Sequence, residues 1–449
     1  MGSTHRAQER LKKIIKTTWS GLFSKIISTA ISLIMVPLAV HYLGKEQYGV
    51  WVAISSLVAM LAFLDGGAGN AVINMIAYAS GAQKERLEKI VSTAFFSLMA
   101  IASISCFLFL ATFPLVSWEM LLGISSSTPI SNLHIVVIIV GSFFFVSMFA
   151  TLVGKVQRGL QEGHLDNFWN GTGAVLSLLF VYIAIRKDAG LVGFVIAFLA
   201  SSLLAYLGSN VHYLYFLRND LRPRIAKVDG VVAKELFTVG GMFFVLQIAG
   251  AIQGQADNVI IANMLGPAEV TNYSICMKLF LIVPMLFALL QTPLWPAYRE
   301  ALASGDALWI KRTFFKSIRW ALLISIPSAF ALVLFGGKII ELWVGPKVVP
   351  SISLLIGCGF WLVLMTVGNA LGVFLNGMQF VKIQMIVAVI TATMKLIISI
   401  LLMQTIGVVG AVFGSIISYG IFTILPYFIY IKKIFEYFGL ISLNKKPKF

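Results

Sequence analysis

Charge is the scarcest property of this chain. Only 12% of its 449 residues are Asp, Glu, Lys or Arg, against about 25% in an ordinary soluble domain. Acid is scarcer still, with 18 Asp and Glu against 34 Lys and Arg and a net charge of +16. A soluble globular fold needs a charged surface, so that class is excluded. Cysteine is nearly absent as well. Cys106, Cys276 and Cys358 stand isolated in apolar runs, without ligand spacing and without the pattern of a disulfide framework. The five histidines, His5, His41, His134, His164 and His212, fall at span ends or in loops with no partner motif, and each reads as an ordinary structural residue. Long polar segments are also missing. The longest connections expected outside the membrane, Val116 to Asn132 and Gly336 to Ser351, hold neither histidine nor aspartate, and Glu119 and Glu341 are single carboxylates. With nowhere to seat a general base or nucleophile, the chain is not expected to be an enzyme, and no cofactor or metal is expected.

In place of charge there is apolar sequence: 59% of residues are hydrophobic, and the mean hydropathy is +0.92. Twelve apolar spans follow one another at 19–43, 48–76, 90–117, 133–154, 168–185, 190–217, 236–265, 271–297, 317–337, 350–376, 380–404 and 407–431. Each approaches or exceeds the ~20 residues that carry a helix across a hydrocarbon core of ~30 Å. The expectation is an all-α polytopic membrane protein. The first span runs into Tyr42-Leu-Gly rather than a small-residue cleavage site, so it reads as a retained helix. With the N-terminus cytoplasmic, 26 of the Lys and Arg fall on inside segments and five outside, while Lys25, Lys278 and Lys395 lie within spans. This bias is the positive-inside pattern and puts both termini in the cytoplasm. It also explains the basic balance without nucleic acid, membrane lipids being the natural partner of that surface. The tail from Arg6 to Lys16 reads as a basic amphipathic helix at the interface, with Trp19 as the first anchor.

Short matches recur at a nearly constant offset. Leu43-Gly44 returns as Leu265-Gly266, Ala79-Ser-Gly81 as Ala303-Ser-Gly305, Arg158-Gly-Leu-Gln161 as Asn376-Gly-Met-Gln379, and Gly190-Leu-Val-Gly193 as Gly407-Val-Val-Gly410, at offsets of 222, 224, 218 and 217. Each falls at the same place in the span count. The pattern predicts two lobes of six spans, residues 1–221 and 222–449. Six is even, so the repeats are parallel, and the basic stretch Arg218 to Lys234 is the linker between them.

Against this apolar background the polar residues inside spans are expensive. The stretch Gln247 to Asp257, Gln-Ile-Ala-Gly-Ala-Ile-Gln-Gly-Gln-Ala-Asp, concentrates them: Gln253 and Asp257 share a helix face, and Gln247 is the repeat equivalent of Lys25. Asp65 lies mid-span among glycines, followed by Asn70 and Asn74 on one face. Two pseudo-symmetric lobes would bring such residues to a central cavity near the midplane. The expected cavity residues are Lys25, Asp65, Asn70, Gln247, Gln253, Asp257, Lys278, Trp295, Tyr298, Arg299 and Lys395, with Arg158 and Gln161 at the cytoplasmic entrance. Structural alternatives stand beside this. Lys25 can snorkel to headgroups, Asp65 can hydrogen-bond a neighbouring helix, and Asp257 can pair with Lys278. Lys395 sits too deep to snorkel and has no acid in its own helix, so its partner must come from another helix or a ligand. Gly250-xxx-Gly254 fits a cavity wall or a close helix contact, whereas Gly368-xxx-Gly372 and Gly410-xxx-Gly414 read as packing. Pro284, Pro293 and Pro296 predict kinks or a break in the eighth span. The polar stretch Lys155 to Asn167 reads as a solvated connector.

Several of these motifs resemble those of one family. Tyr42-Leu-Gly-Lys-Glu-Gln-Tyr-Gly-Val-Trp51 and Leu64-Asp-Gly-Gly-Ala-Gly69, with Gln255-Ala-Asp-Asn258, Leu265-Gly-Pro267, Leu294-Trp-Pro-Ala-Tyr298, Leu342-Trp-Val-Gly345 and Leu375-Asn-Gly-Met-Gln379, look like the polysaccharide transporter family, the Wzx-type flippases. That family belongs to a superfamily with MATE drug exporters and the lipid II flippase; twelve spans rather than fourteen disfavour the latter branch. The resemblance implies a two-lobed flippase of the bacterial inner membrane. Its substrate would be an undecaprenyl-pyrophosphate-linked oligosaccharide such as an O-antigen unit, moved by alternating access. The resemblance also implies coupling to H+ or Na+ and polysaccharide polymerase machinery as a partner. Three intramembrane lysines against two aspartates suit a pyrophosphate. A MATE-like cation exporter is the rival reading, and a membrane-embedded glycan-modifying enzyme a more distant one.

Overall fold

The structure, a computed structural model, describes residues 2–79, 84–124, 132–291, 293–378 and 380–437. Parts of the repeated motifs at Ser80-Gly81 and Gln379 lie outside the described residues, as do the side chains that would form the basic face of 6–15. Among the described residues all regular structure is helical. The first half contains α1 (Gly2–Met60), α2 (Ala68–Ala79), α3 (Lys84–Thr112), α4 (Trp118–Leu121), α5 (Leu133–Ala150), α6 (Leu152–Gly159), α7 (Gly163–Arg186) and α8 (Gly190–Val211). The second contains α9 (Gly230–Leu265), α10 (Pro267–Phe280), α11 (Ile282–Gln291), α12 (Leu294–Ala303), α13 (Ala307–Val344), α14 (Ile352–Gly377), α15 (Val381–Ile406), α16 (Val409–Tyr419) and α17 (Leu425–Tyr437).

Ten helices are long and apolar enough to cross a membrane, or eleven when the bent pair Gly230–Gly241 and Phe243–Leu265 counts as one span. The chain is therefore a multi-pass all-α membrane protein. The first of these, Lys16–Asp65, has 50 residues. Straight, it would measure roughly 75 Å, more than twice the hydrocarbon core. It is not straight: Gly44 breaks it with φ 76° and ψ 172°. Twelve spans are expected from the sequence; the structure supports ten or eleven, with Lys16–Asp65 covering the first expected span and most of the second.

Gly44 has a counterpart. Gly266, the glycine 222 residues on, separates α9 from α10 with φ 91° and ψ 163°. An L-residue resists that conformation, so glycine recurs at both corners. Gly190 and Gly407, of the fourth matched pair, share φ 64°. The duplication thus extends from sequence to backbone geometry. Both halves also contain interrupted spans. After Gly44 the helix gives way to a 3-10 turn at Leu61–Asp65 before α2 ends at Ala79. After Gly266 the chain breaks at Leu281 and again between α11 and α12, which ends at Ala303. The breaks of the eighth span are those its prolines predict.

By packing, the chain divides into two compact units, Met1–Ala251 and Ile252–Phe449. The first unit has a core of Val72 and Ile76 on α2, Ile90 on α3, Leu152 and Val156 on α6, Tyr213 past α8 and Leu236 on α9. Here the break in the second span meets α9 backbone to backbone. A Cβ on Gly67, whose φ is +75°, would stand 2.1 Å from the carbonyl oxygen of Gly240, beside the 43° bend in α9. The second unit is centred on aromatic rings: Phe314 and Phe374 lie 4.7 Å apart, and Phe435 packs on both.

Gly67→Ala is therefore expected to cost at least about 2 kcal/mol, from a disfavoured φ and a blocked contact together. Gly250→Ala, where a Cβ meets nothing within 4 Å, is the control. Thermal unfolding of both purified variants checks this. Equal melting temperatures would contradict the packing described.

Candidate functional site

In the second unit the intramembrane charges converge. Lys395 on α15 is 3% exposed and Asp257 on α9 is 6% exposed. The Lys395 ammonium lies 3.0 Å from Asp257 Oδ2 and also donates to the backbone oxygen of Gln253. Tyr273 on α10 donates its hydroxyl to the same Asp257 oxygen. The Gln253 amide donates to the carbonyl of Ala388, 3.2 Å away, which ties α9 to α15 a second time. Thus the partner required for Lys395 comes from another helix, and Asp257 pairs with Lys395 rather than with Lys278. Burial of either ion alone would be prohibitive; together, with a tyrosine donor, they are tolerated. Asp257 Oδ1 is buried with no hydrogen-bond partner among the described residues.

In the first unit Asp65 answers the break in its own span. Its Oδ1 accepts from the Gly67 amide at 2.8 Å and its Oδ2 from the Gly69 amide at 3.2 Å. The carboxylate thereby serves amides that a continuous helix would have used, at the positive end of α2. Close by is Lys155 on α6: a Cβ on Gly69 would lie 2.9 Å from Asp65 Oδ2 and 3.3 Å from Lys155 Nζ. Lys155 is half-buried and lies within the membrane-crossing stretch Leu133–Gly159. The sequence reading stopped that span one residue short and so missed a fourth intramembrane lysine. Nor is 155–167 a solvated connector. It is α6, a tight turn with Gln161 at φ 60°, and the start of α7. Arg158 pairs with Asp166 at 3.2 Å, Glu162 accepts from the Tyr213 hydroxyl at 2.6 Å, and Asn167 donates to Thr17 and Ser20 of α1. Polar side chains at both ends of this segment had partners waiting on α1 and beyond α8.

The linker is clamped to α3. Arg86 pairs with Glu235 at 3.1 Å, Lys89 with Asp229 at 3.3 Å and Glu88 with Lys227 at 3.4 Å. Ser92 and Thr93 accept from the backbone amides of Arg224 and Asp229. The hydrogen bond from Arg218 holds the Asp220 carboxyl below the usual range against the opposing effect of burial, and in return raises the Arg218 guanidinium. The Val231 amide, then Lys89, does the same for Asp229.

The other expected residues are scattered in their environments. Lys25 is exposed within its span, Asn70, Gln247 and Lys278 are half-buried, and Arg299 is exposed. Gln247 Oε1 is buried without a hydrogen-bond partner among the described residues. Trp295 and Tyr298 share α12 but face opposite ways: Trp295 is 46% exposed and Tyr298 1%. Tyr298 packs edge-on to Trp309 and Phe374 in the aromatic core, so its ring is a packing element rather than a cavity wall. A Cβ on Gly368, Gly410 or Gly414 would collide with Tyr419, Leu402 and Ser399 respectively, as packing glycines should, while Gly372 and Gly254 have open space. Two cysteines isolated in the sequence meet in the structure as free thiols. Cys276 on α10 and Cys358 on α14 are buried with their sulfurs 3.2 Å apart.

Two measurements follow. Lys395→Ala leaves Asp257 buried and uncompensated, and about 3–5 kcal/mol of stability should be lost; an unchanged melting temperature in detergent would contradict the pairing. For the linker, the folded pKa values of Asp220 and Asp229 lie below their unfolded values near 4. Their contribution is thus present above about pH 4 and lost as pH falls through the depressed values. Hydrogen exchange over 218–231, corrected for intrinsic rates, should be steady from about pH 8 to 5 and faster near pH 3. Protection that persists at the lower pH would show that these carboxylates do not hold the linker.

The sequence matches the polysaccharide biosynthesis protein family over residues 14–301 and the MatE family over 245–402. A Yersinia pseudotuberculosis protein named as an O-antigen export protein is 24% identical over 78% of this chain and 80% of its own length. A Salmonella typhimurium protein named as an O-antigen transporter is 22% identical, covering 90% of this chain and 92% of itself. Among solved structures, the lipid II flippase MurJ in an inward closed conformation aligns with a TM-score of 0.70 and 16% identity, over 92% of this chain and 87% of MurJ. That last likeness speaks for the fold. The first family match takes in well over half of the sequence, from the start of the first span to α12, and it agrees with the motifs above: the chain belongs to the polysaccharide biosynthesis protein family.

Proposed function

We propose that the protein is a flippase for an undecaprenyl-pyrophosphate-linked oligosaccharide, carrying the headgroup from the cytoplasmic to the periplasmic leaflet of a bacterial inner membrane. The observation that carries this reading is Lys25. It is an exposed cation inside an apolar span, with no carboxylate in pairing distance among the described residues. Both intramembrane aspartates of the sequence reading are already engaged, Asp65 by backbone amides and Asp257 by Lys395 and Tyr273. An exposed lysine among engaged carboxylates suits an anionic pyrophosphate better than a cationic drug. The names of the relatives support the same direction.

In this reading lobes 1–221 and 222–449 alternate about a central cavity, the polyprenyl tail stays in lipid, and both termini are cytoplasmic. Lys25, Lys278 and Arg299 provide positive charge, and Asn70, Gln247, Gln253 and Trp295 serve the sugars. Coupling to a proton or sodium gradient and contact with polysaccharide polymerase machinery belong to the same picture. It is a transport cycle with no bond made or broken, so no enzyme activity is proposed. A second reading, MATE-like cation export, draws on the MatE match over 245–402.

The test is the sidedness of the lipid-linked oligosaccharide in cells with and without the protein. Cells lacking it should accumulate precursor on the cytoplasmic face and clear it when the protein returns. Lys25→Ala should lower clearance at least about tenfold, the worth of one charge-assisted contact, and Lys25→Arg should retain most of it. Equal sidedness in both strains, with altered sensitivity to cationic drugs, would overturn the flippase reading in favour of export.

A further inference from the structure

A cleft of about 480 Å³ in the first unit lies apart from the intramembrane charges described above. It is lined by Asn74, Met75 and Tyr78 near the end of α2, Arg86 at the start of α3, and Glu235 and Val239 in the first turns of α9. Its size falls within the roughly 300–1,000 Å³ of small-molecule sites. The lining is unusual in its mixture. Tyr78 is 92% exposed, so nearly its whole ring is available. Arg86 Nη2 donates to both oxygens of Glu235, at 3.1 and 3.2 Å, while both side chains stay partly open. Asn74 is exposed and offers a carbonyl and an NH2.

We infer that this cleft is a saccharide subsite, taking one or two sugar rings of the headgroup before translocation. The inference rests on the flippase reading and specifies which part of the substrate binds here. Arg86 and Glu235 neutralise one another, so the cleft offers no net charge to a pyrophosphate, and the carboxylate would repel it. A sugar hydroxyl, by contrast, both donates and accepts, and finds here a guanidinium to accept from, a carboxylate to donate to, and an amide for either. The apolar face of a pyranose is matched by the Tyr78 ring with Met75 and Val239 beside it. Position agrees. Arg86 and Glu235 lie at the beginnings of α3 and α9, next to the basic segments that the positive-inside pattern assigns to the cytoplasm, the face on which loading would occur. The competing role for Tyr78 is that of an interfacial anchor, which would require neither Asn74 nor the ion pair.

The experiment uses the full chain in lipid nanodiscs free of glycoside detergent. The probe is the oligosaccharide released by mild acid from the cell's own polyprenyl-pyrophosphate precursor, with inorganic pyrophosphate in parallel. Oligosaccharide binding should weaken at least tenfold in Tyr78→Ala and in Asn74→Ala and recover in Tyr78→Trp. Pyrophosphate binding should not change. Tyr182→Ala, on a side chain of α7 exposed to 52%, should behave as wild type, and melting temperatures confirm that all variants fold. Leaflet sidedness is measured in the same variants. If wild type clears precursor and the Tyr78 and Asn74 variants bind oligosaccharide as wild type does, the subsite is overturned and the flippase reading stands. If wild type leaves sidedness unchanged, both fall together.

Discussion

The ion pair between Asp257 and Lys395 is the constraint on which the second half of the molecule depends. Either charge alone in an apolar helix would cost several kcal/mol. Their meeting requires α9 and α15, separated by well over a hundred residues of chain, to present the same depth and facing sides. Tyr273 and the Gln253 carbonyl then take up further bonding capacity. The arrangement holds three helices of one unit in register and removes Lys395 from the pool of free cations. What remains exposed within the first span is Lys25, and the anionic-headgroup reading rests on that difference.

The first unit solves a related problem with backbone rather than charge. Its second span is interrupted by glycines that permit contact with the bent α9, and Asp65 supplies the acceptors that the interruption leaves wanting. The duplicated half interrupts the equivalent span with prolines instead, between α10, α11 and α12. The two halves agree most clearly at the corners Gly44 and Gly266, where both glycines take a positive φ. In membranes such breaks persist only where protein or water satisfies the freed groups.

Much of this was legible from the chain alone. Hydropathy gave the all-α, multi-pass class and the approximate positions of most spans, because bilayer thickness acts on sequence locally. The proline-bearing eighth span broke as its composition implies. Pairings across distant helices were not legible. Lys395 announced a missing partner, yet nothing in its neighbourhood named Asp257 over Asp65, and the tempting Asp257–Lys278 pair was sequence-local. Lys155 was lost because its span was ended at the first charge. Cys276 and Cys358 became neighbours only through the packing of α10 on α14, and Tyr298 turned inward because its helix presents Trp295 to the other side. Depth in a membrane is written along the chain; facing direction in a bundle is not.

The division of labour between a compensated pair and an exposed lysine has one direct test. Asp257→Leu and Lys395→Met are made singly and together, and leaflet sidedness of the lipid-linked oligosaccharide is measured in cells. Replacement of both ions by apolar groups of similar size removes the burial penalty along with the attraction. The double variant should therefore clear precursor as wild type does while each single variant fails. A double variant as inactive as Lys395→Met alone would mean that Lys395 acts on the headgroup itself, and that its pairing with Asp257 is not its purpose.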